Sequence, residues 1–144
     1  MSIKIAIGSD HAGFELKEYL IRYLKSNNSV VNDKGCYSSE RADYPDFGHS
    51  VAMSVLNKEA NFGILMCGSG NGINMSANKH AGIRAALCWN SEIAGLARQH
   101  NDANILVLPA RYITQGEAEK CVDVFLNAKF EGGRHQERVQ KIDI

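Results

Sequence analysis

FGILMCGSGNGINMSANK, residues 62–79, reads in three pieces: a short apolar run, a glycine loop and the opening of a helix. The apolar run is continuous rather than alternating, as expected of a strand covered on both faces. Cys67 closes it, and Gly68, Ser69, Gly70, Asn71 and Gly72 follow. So few side chains let a ligand approach the backbone, and a helix starting there points free N–H groups at an anion. A thiol at the mouth of such a nest sits where a thiolate is favoured, fit to act as a nucleophile or as a base toward a carbon-bound proton. Ser69 and the loop N–H groups are then placed to stabilise an oxyanion. A tight structural turn reads the same way from this stretch alone, so the rest of the chain must arbitrate.

Outward from the loop, strand and helix patterns alternate. Ile3, Ile5 and Ile7 begin a strand ending at Gly8, and Ser9 or Asp10 can cap a helix striped by Leu16, Tyr19, Leu20, Tyr23 and Leu24. Val30 and Val31 suggest a short second strand. Pro45 suits a first helical position, and Phe47, Val51 and Val55 carry that helix to about Lys58. Beyond the loop, residues 84–89 (RAALCW) read as a fourth strand. Asn90 or Ser91 caps a helix with Ile93, Leu96, Ala97 and His100 inward. Residues 104–108 (NILVL) read as a fifth strand. Thr114 and Glu117 match a capping box before a helix with Ala118, Cys121, Val122 and Phe125 inward. A basic helix over about residues 133–142 ends the chain. The expectation is an α/β fold: one three-layer α/β/α domain over residues 1–144 with a Rossmann-like, five-stranded, mostly parallel sheet.

Composition narrows the function classes. Sixteen basic and sixteen acidic residues cancel, so no bulk field favours nucleic acid or an anionic membrane. No apolar run approaches a membrane span, and the first residues lack a signal-peptide layout. Cys36, Cys67, Cys88 and Cys121 lie far apart, which fits neither a zinc site nor a secreted disulfide framework. A reduced, cytoplasmic protein without a metal site is expected. GSGNGI lacks the third glycine of a dinucleotide loop, and no Walker sequence occurs.

Ligands of parallel sheets sit beyond the carboxyl ends of the strands, which places Asp10, His11 and the Cys67 loop on one edge. Asp10 can simply cap a helix; a histidine beside it favours a polar site, since His can donate to phosphate or move protons. His100 reads by default as a core or interface histidine. Arg134, Arg138 and Lys141 share a helical face that is either a solvated stripe or a phosphate clamp.

Four separated segments, GSDHAGFELK (8–17), ADYPDFG (42–48), CGSGNGINMSANK (67–79) and RQHNDANILVLPAR (98–111), together resemble ribose-5-phosphate isomerase type B. The related galactose-6-phosphate isomerase subunits share that fold. The resemblance runs from Ile3 to Arg138. It implies interconversion of D-ribose 5-phosphate and D-ribulose 5-phosphate, a step of the pentose phosphate pathway, without metal or organic cofactor. By that resemblance Cys67 is the base that moves a proton between C1 and C2 through an enediolate. Ser69 and the backbone of Gly68, Gly70, Asn71 and Gly72 hold the oxyanion, and Asp10 moves the proton between the substrate oxygens. His100 opens the sugar ring while Asn101 holds a hydroxyl. His11, Arg111, Arg134 and Arg138 bind the phosphate, and Tyr44 lines the sugar pocket. Some members use a glutamate just past the loop; Ile73 stands there, so the chain resembles the cysteine-using branch. Ser69 stands where threonine is common.

His100 and Asn101, however, end a helix that runs back toward the opposite edge of the sheet from Cys67. The expectation is that a second copy delivers them, in a homodimer with shared active sites; the resemblance implies a dimer, sometimes paired into a dimer of dimers. Two other readings compete. One is isomerisation of a six-carbon substrate, allose 6-phosphate or galactose 6-phosphate. The other is a non-catalytic phosphometabolite-binding module, which has no use for Cys67, Asp10 and His100 together.

Overall fold

Strand residues of alternating direction fill two different cores. Ile5, Ile7, Ile64, Met66, Leu106 and Leu108 face one side of the sheet, while Ala6, Leu65, Cys67, Ile105 and Val107 face the other. The computed structural model describes residues 2–144. Five strands, β1 (Lys4–Ser9), β2 (Val30–Asp33), β3 (Phe62–Cys67), β4 (Ala85–Leu87) and β5 (Ile105–Pro109), pair in the order β2-β1-β3-β5-β4. Every pairing is parallel. Helices α1 (Phe14–Ser26), α4 (Ser91–Asn101) and α5 (Gln115–Asn127) supply the first core; α2 (Tyr44–Leu56) and α3 (Asn71–Ala77) supply the second. The three-layer α/β architecture expected from the alternation is therefore present. A last helix, α6 (Arg134–Gln140), packs on α4.

Local departures from the expected pattern have physical reasons. Asp10 does act as a cap, accepting from the Gly13 N–H at 3.1 Å, but it caps a 3-10 turn (His11–Gly13) that precedes α1. Gly13 follows because a Cβ there would lie 2.7 Å from Met66 of β3. The buried stripe of α1 is Leu16, Lys17, Leu20, Ile21 and Leu24. Tyr19 and Tyr23 are only half-buried, their hydroxyls reaching Glu119 and Asp123 of α5. The surprise in that stripe is Lys17, whose side chain is fully buried. Its ammonium meets both Asp33 oxygens at 2.8 and 2.9 Å, and that pairing makes the burial tolerable.

α4 is rotated relative to the expected inner face: Ala94, Gly95 and Ala97 are buried, while Ile93, Leu96 and His100 are half-buried. The small residues let α5 approach closely, since a Cβ on Gly95 would lie 3.0 Å from Val124. The capping box is half formed. Thr114 Oγ1 accepts from the Glu117 N–H at 3.1 Å, but the Glu117 carboxylate accepts from the Ser91 N–H instead, tying α5 to α4. The fourth strand shrinks from the expected 84–89 to three residues. Past it, Cys88 turns inward and Trp89 outward.

β4 lies at one end of the strand order, where a strand exposes unpaired peptide groups. Asn78 covers them. Its Oδ1 accepts from the Ala85 N–H at 2.8 Å and its Nδ2 donates to the Ala85 carbonyl at 2.9 Å.

Candidate active site

Three strands end at one cleft. β1 delivers Asp10 and His11, β3 delivers Cys67 and the glycine loop, and the turn after β5 delivers Arg111. The cleft encloses about 420 Å³, and Tyr44, the first residue of α2, walls it. The Asp10 and Cys67 residues are 6% and 5% exposed, so each presents little more than its reactive tip.

Close packing explains the glycines. A Cβ on Gly72 would lie 2.5 Å from the Tyr44 ring, and one on Gly68 would lie 3.2 Å from an Arg111 guanidinium nitrogen. Arg111 is pinned to the same loop, its N–H donating to the Gly68 carbonyl at 3.0 Å. Gly70 turns the chain into α3 with φ +80, a left-handed value that disfavours side chains. Ser69 Oγ accepts from the Asn71 N–H at 3.2 Å. The other N–H groups of the first helical turn have no intrahelical acceptor.

His11 is held by Ala42, whose N–H and carbonyl oxygen each lie 3.2 Å from Nδ1. Accepting that N–H puts the ring proton on Nε2, whereas donating to that carbonyl puts it on Nδ1.

Asp10, His11, Tyr44, Cys67, Gly68, Ser69, Gly72 and Arg111 thus line one cleft. Gly70 is buried behind it, and Asn71 lines a neighbouring depression with Leu87, Trp89 and Pro109. His100 and Asn101 do not line it. They end α4 at the opposite sheet edge, where Asn101 shares a hollow with Arg84 and Ala85 at the start of β4. His100 stacks on His135 of α6, ring centroids 4.3 Å apart. Arg134 and Arg138 ride on that same helix.

Residues that the sequence did not single out also belong to these groups. Tyr112 joins the Cys67 cleft, and the signal for it was its place just past a strand's carboxyl end. Glu131 sits 3.8 Å from His100 Nε2 and 3.5 Å from His135 Nε2. The ligand atoms of these three lie within 4.8 Å of one another, a set able to hold a metal ion.

The other thiols are structural. Burial pushes Cys88 and Cys121 up to about 12 from an ordinary 9, with Cys121 adding to it at Cys88 and Glu117 adding to it at Cys121. Cys36 is buried against Ser9 and donates to the Ser38 carbonyl. No helix among the described residues is long and apolar enough to cross a membrane.

Known proteins share this architecture over its full length. The ribose 5-phosphate isomerase of Thermotoga maritima superposes with a TM-score of 0.98 at 53% identity, covering 99% of each chain. Ribose-5-phosphate isomerase B of Mycoplasma genitalium, solved with bound ribulose-5-phosphate, superposes at 0.93 with 48% identity, over 99% of this chain and 95% of that one. Ribose-5-phosphate isomerase B of Escherichia coli is 48% identical over 139 residues, 96% of this chain and 93% of its own. A family model described as Ribose/Galactose Isomerase matches residues 5–142. With near-complete coverage in sequence and in structure, the chain belongs to the ribose/galactose isomerase family of sugar-phosphate isomerases.

Proposed function

We propose that this isomerase interconverts D-ribose 5-phosphate and D-ribulose 5-phosphate through an enediolate. The observation that carries the reading is the meeting of a thiol, a carboxyl group, a histidine and an arginine in one small cleft at the carboxyl edge of the sheet. A proton beside a carbonyl is only weakly acidic, so its removal needs a positioned base and donors aimed at the developing oxyanion.

Cys67 as thiolate takes the proton from C2 of the aldose and returns it to C1. Ser69 and the N–H groups of the loop from Gly68 to Gly72 hold the oxyanion formed between those events. Asp10 carries the hydroxyl proton from one substrate oxygen to the other, which balances the exchange. His11 and Arg111, in the same cleft, bind the phosphate. Binding energy gathered there positions the reacting carbons without touching them. Tyr44, held on Gly72, shapes the sugar pocket.

The remaining residues come from a second copy. His100 opens the furanose by proton transfer, Asn101 holds a hydroxyl, and Arg134 and Arg138 complete the phosphate site. Their place at the opposite sheet edge supports a homodimer with two shared sites. The chain acts as one catalytic domain, and its unpaired cysteines suit a reducing cytoplasm.

The test is a substrate panel with the purified chain, comparing ribose 5-phosphate with allose and galactose 6-phosphates, alongside Cys67→Ala. Highest kcat/KM on the pentose is expected. Cys67→Ala should lose about 10³-fold in kcat, within the span of general-base effects, with ribulose 5-phosphate affinity little changed. Preference for a hexose phosphate would reassign the substrate, and full turnover in Cys67→Ala would remove the thiolate base.

A further inference from the structure

We infer that His100, Glu131 and His135 form a binding site for zinc or a similar divalent transition metal, and that the ion bound there inhibits the enzyme. The donor set is two imidazole nitrogens and one carboxylate oxygen. That combination suits zinc, cobalt or nickel and is poor for magnesium or calcium, which prefer oxygen alone. Three protein ligands leave a fourth position for water.

Two of the three ligand spacings are close to what a tetrahedral ion requires, and the third lies within 4.8 Å. Bonds of about 2.0–2.1 Å at tetrahedral angles place ligand atoms about 3.4 Å apart. His135 Nε2 lies 3.5 Å from Glu131 Oε1, and His100 Nε2 lies 3.8 Å from the same oxygen. The two rings are nearly parallel, 12° apart, so one must tilt to aim its lone pair at a common ion. His100 can do so because its side chain is 39% exposed, whereas His135 is 12% exposed and more firmly seated.

The backbone builds this arrangement. The Glu131 N–H donates to the Gln99 carbonyl at 3.0 Å, fixing Glu131 beside the last turn of α4. Gly132 and Gly133 then take positive φ values of 69 and 57, and the chain turns back to seat His135 on His100. All three ligands belong to one chain, so the site does not depend on how copies assemble.

An ion on His100 Nε2 occupies the lone pair that proton transfer needs. The inhibition therefore rests on the ring-opening role assigned to His100 above, while the binding does not.

The test separates the two. Metal-free chain is titrated with cobalt, read by its visible spectrum, and with zinc in competition with a chromophoric chelator. His135→Ala, Glu131→Gln and Cys67→Ser are run beside it, with circular dichroism reporting their folding. One ion per chain with a tetrahedral cobalt spectrum is expected, bound more than about tenfold more weakly by His135→Ala and Glu131→Gln, since a first ligand matters at least as much as the groups behind it. Zinc should slow ribose 5-phosphate turnover reversibly, and less in His135→Ala, each variant being compared with its own metal-free rate. Absence of saturable binding, binding untouched in His135→Ala, or binding lost in Cys67→Ser would overturn the site. Binding that follows the expected pattern without slowing the wild type upholds the site and removes His100 from ring opening.

Discussion

The two edges of the sheet differ in what they can do alone. At the carboxyl edge, Asp10, His11, Cys67, Ser69 and Arg111 line one cleft. At the opposite edge, His100, Asn101, Arg134 and Arg138 sit around the end of α4 and on α6, with no thiol or glycine loop among them. On the proposed reading the first set moves protons at carbon and the second opens the ring. Such a split teaches how a fold could present two incomplete halves and, paired as proposed, obtain a whole site by symmetry. In the proposed twofold dimer each contact would occur twice, so each half would meet its complement.

The sharpest way to break that comparison is to inactivate one edge in each of two chains. Cys67→Ala and His100→Ala should each be nearly inactive alone. Mixed and allowed to exchange subunits, half of the dimers become hybrids with one intact site, so about a quarter of wild-type activity should return. No recovery in a mixture shown by mass spectrometry to contain hybrids would place both residues in one chain's site.

The scaffold under the carboxyl edge offers the next test. Lys17 holds Asp33, Asp33 accepts from the Gly35 N–H at 2.9 Å, and the Gly35 carbonyl accepts from the Ser9 N–H at 2.7 Å, next to Asp10. Lys17→Met leaves Asp33 without its cation and should cost roughly 2–3 kcal/mol in urea unfolding, at the lower end for breaking a buried pair because Asp33 is partly solvated.

Smaller still is the division of labour at the phosphate. Arg111→Ala and Arg138→Ala should each raise KM about tenfold with a lesser change in kcat, as loss of one charge-assisted contact predicts. Unequal effects would show which edge carries more of the phosphate.

A last test lies between the edges, at Cys88 and Cys121, and shows only above pH 9. Their folded thiols are pushed above the unfolded value, so the neutral form is favoured on folding. Their contribution is complete below pH 9 and is lost as pH climbs toward about 12. Replacing both by alanine should flatten the fall of the urea midpoint across that window; an unchanged slope would assign the fall to other groups.

The sequence made the alternation, the sheet class and most of the carboxyl edge legible because strand ends and loops are local signals. Residues 62–79 alone announced the loop that holds Cys67 and Ser69. What stayed hidden depends on partners far along the chain. Lys17 did not enter the expected stripe of its helix, because the Asp33 that makes its burial tolerable lies sixteen positions away. The rotation of α4 is set by how closely α5 packs on Gly95. Glu131 was invisible because its neighbours His100 and His135 come together only after Gly132 and Gly133 turn the chain. The separation of His100 from Cys67 was legible, because a helix following a parallel strand must run back across the sheet.

Asn78 has a consequence for how copies meet. A bare strand at the rim of a sheet is a template on which another molecule's strand can grow, and repeated growth gives fibres. By bonding both peptide groups of Ala85, one amide side chain acts as a terminator. Assembly is thereby steered away from open-ended polymerisation and left to surfaces that close on themselves.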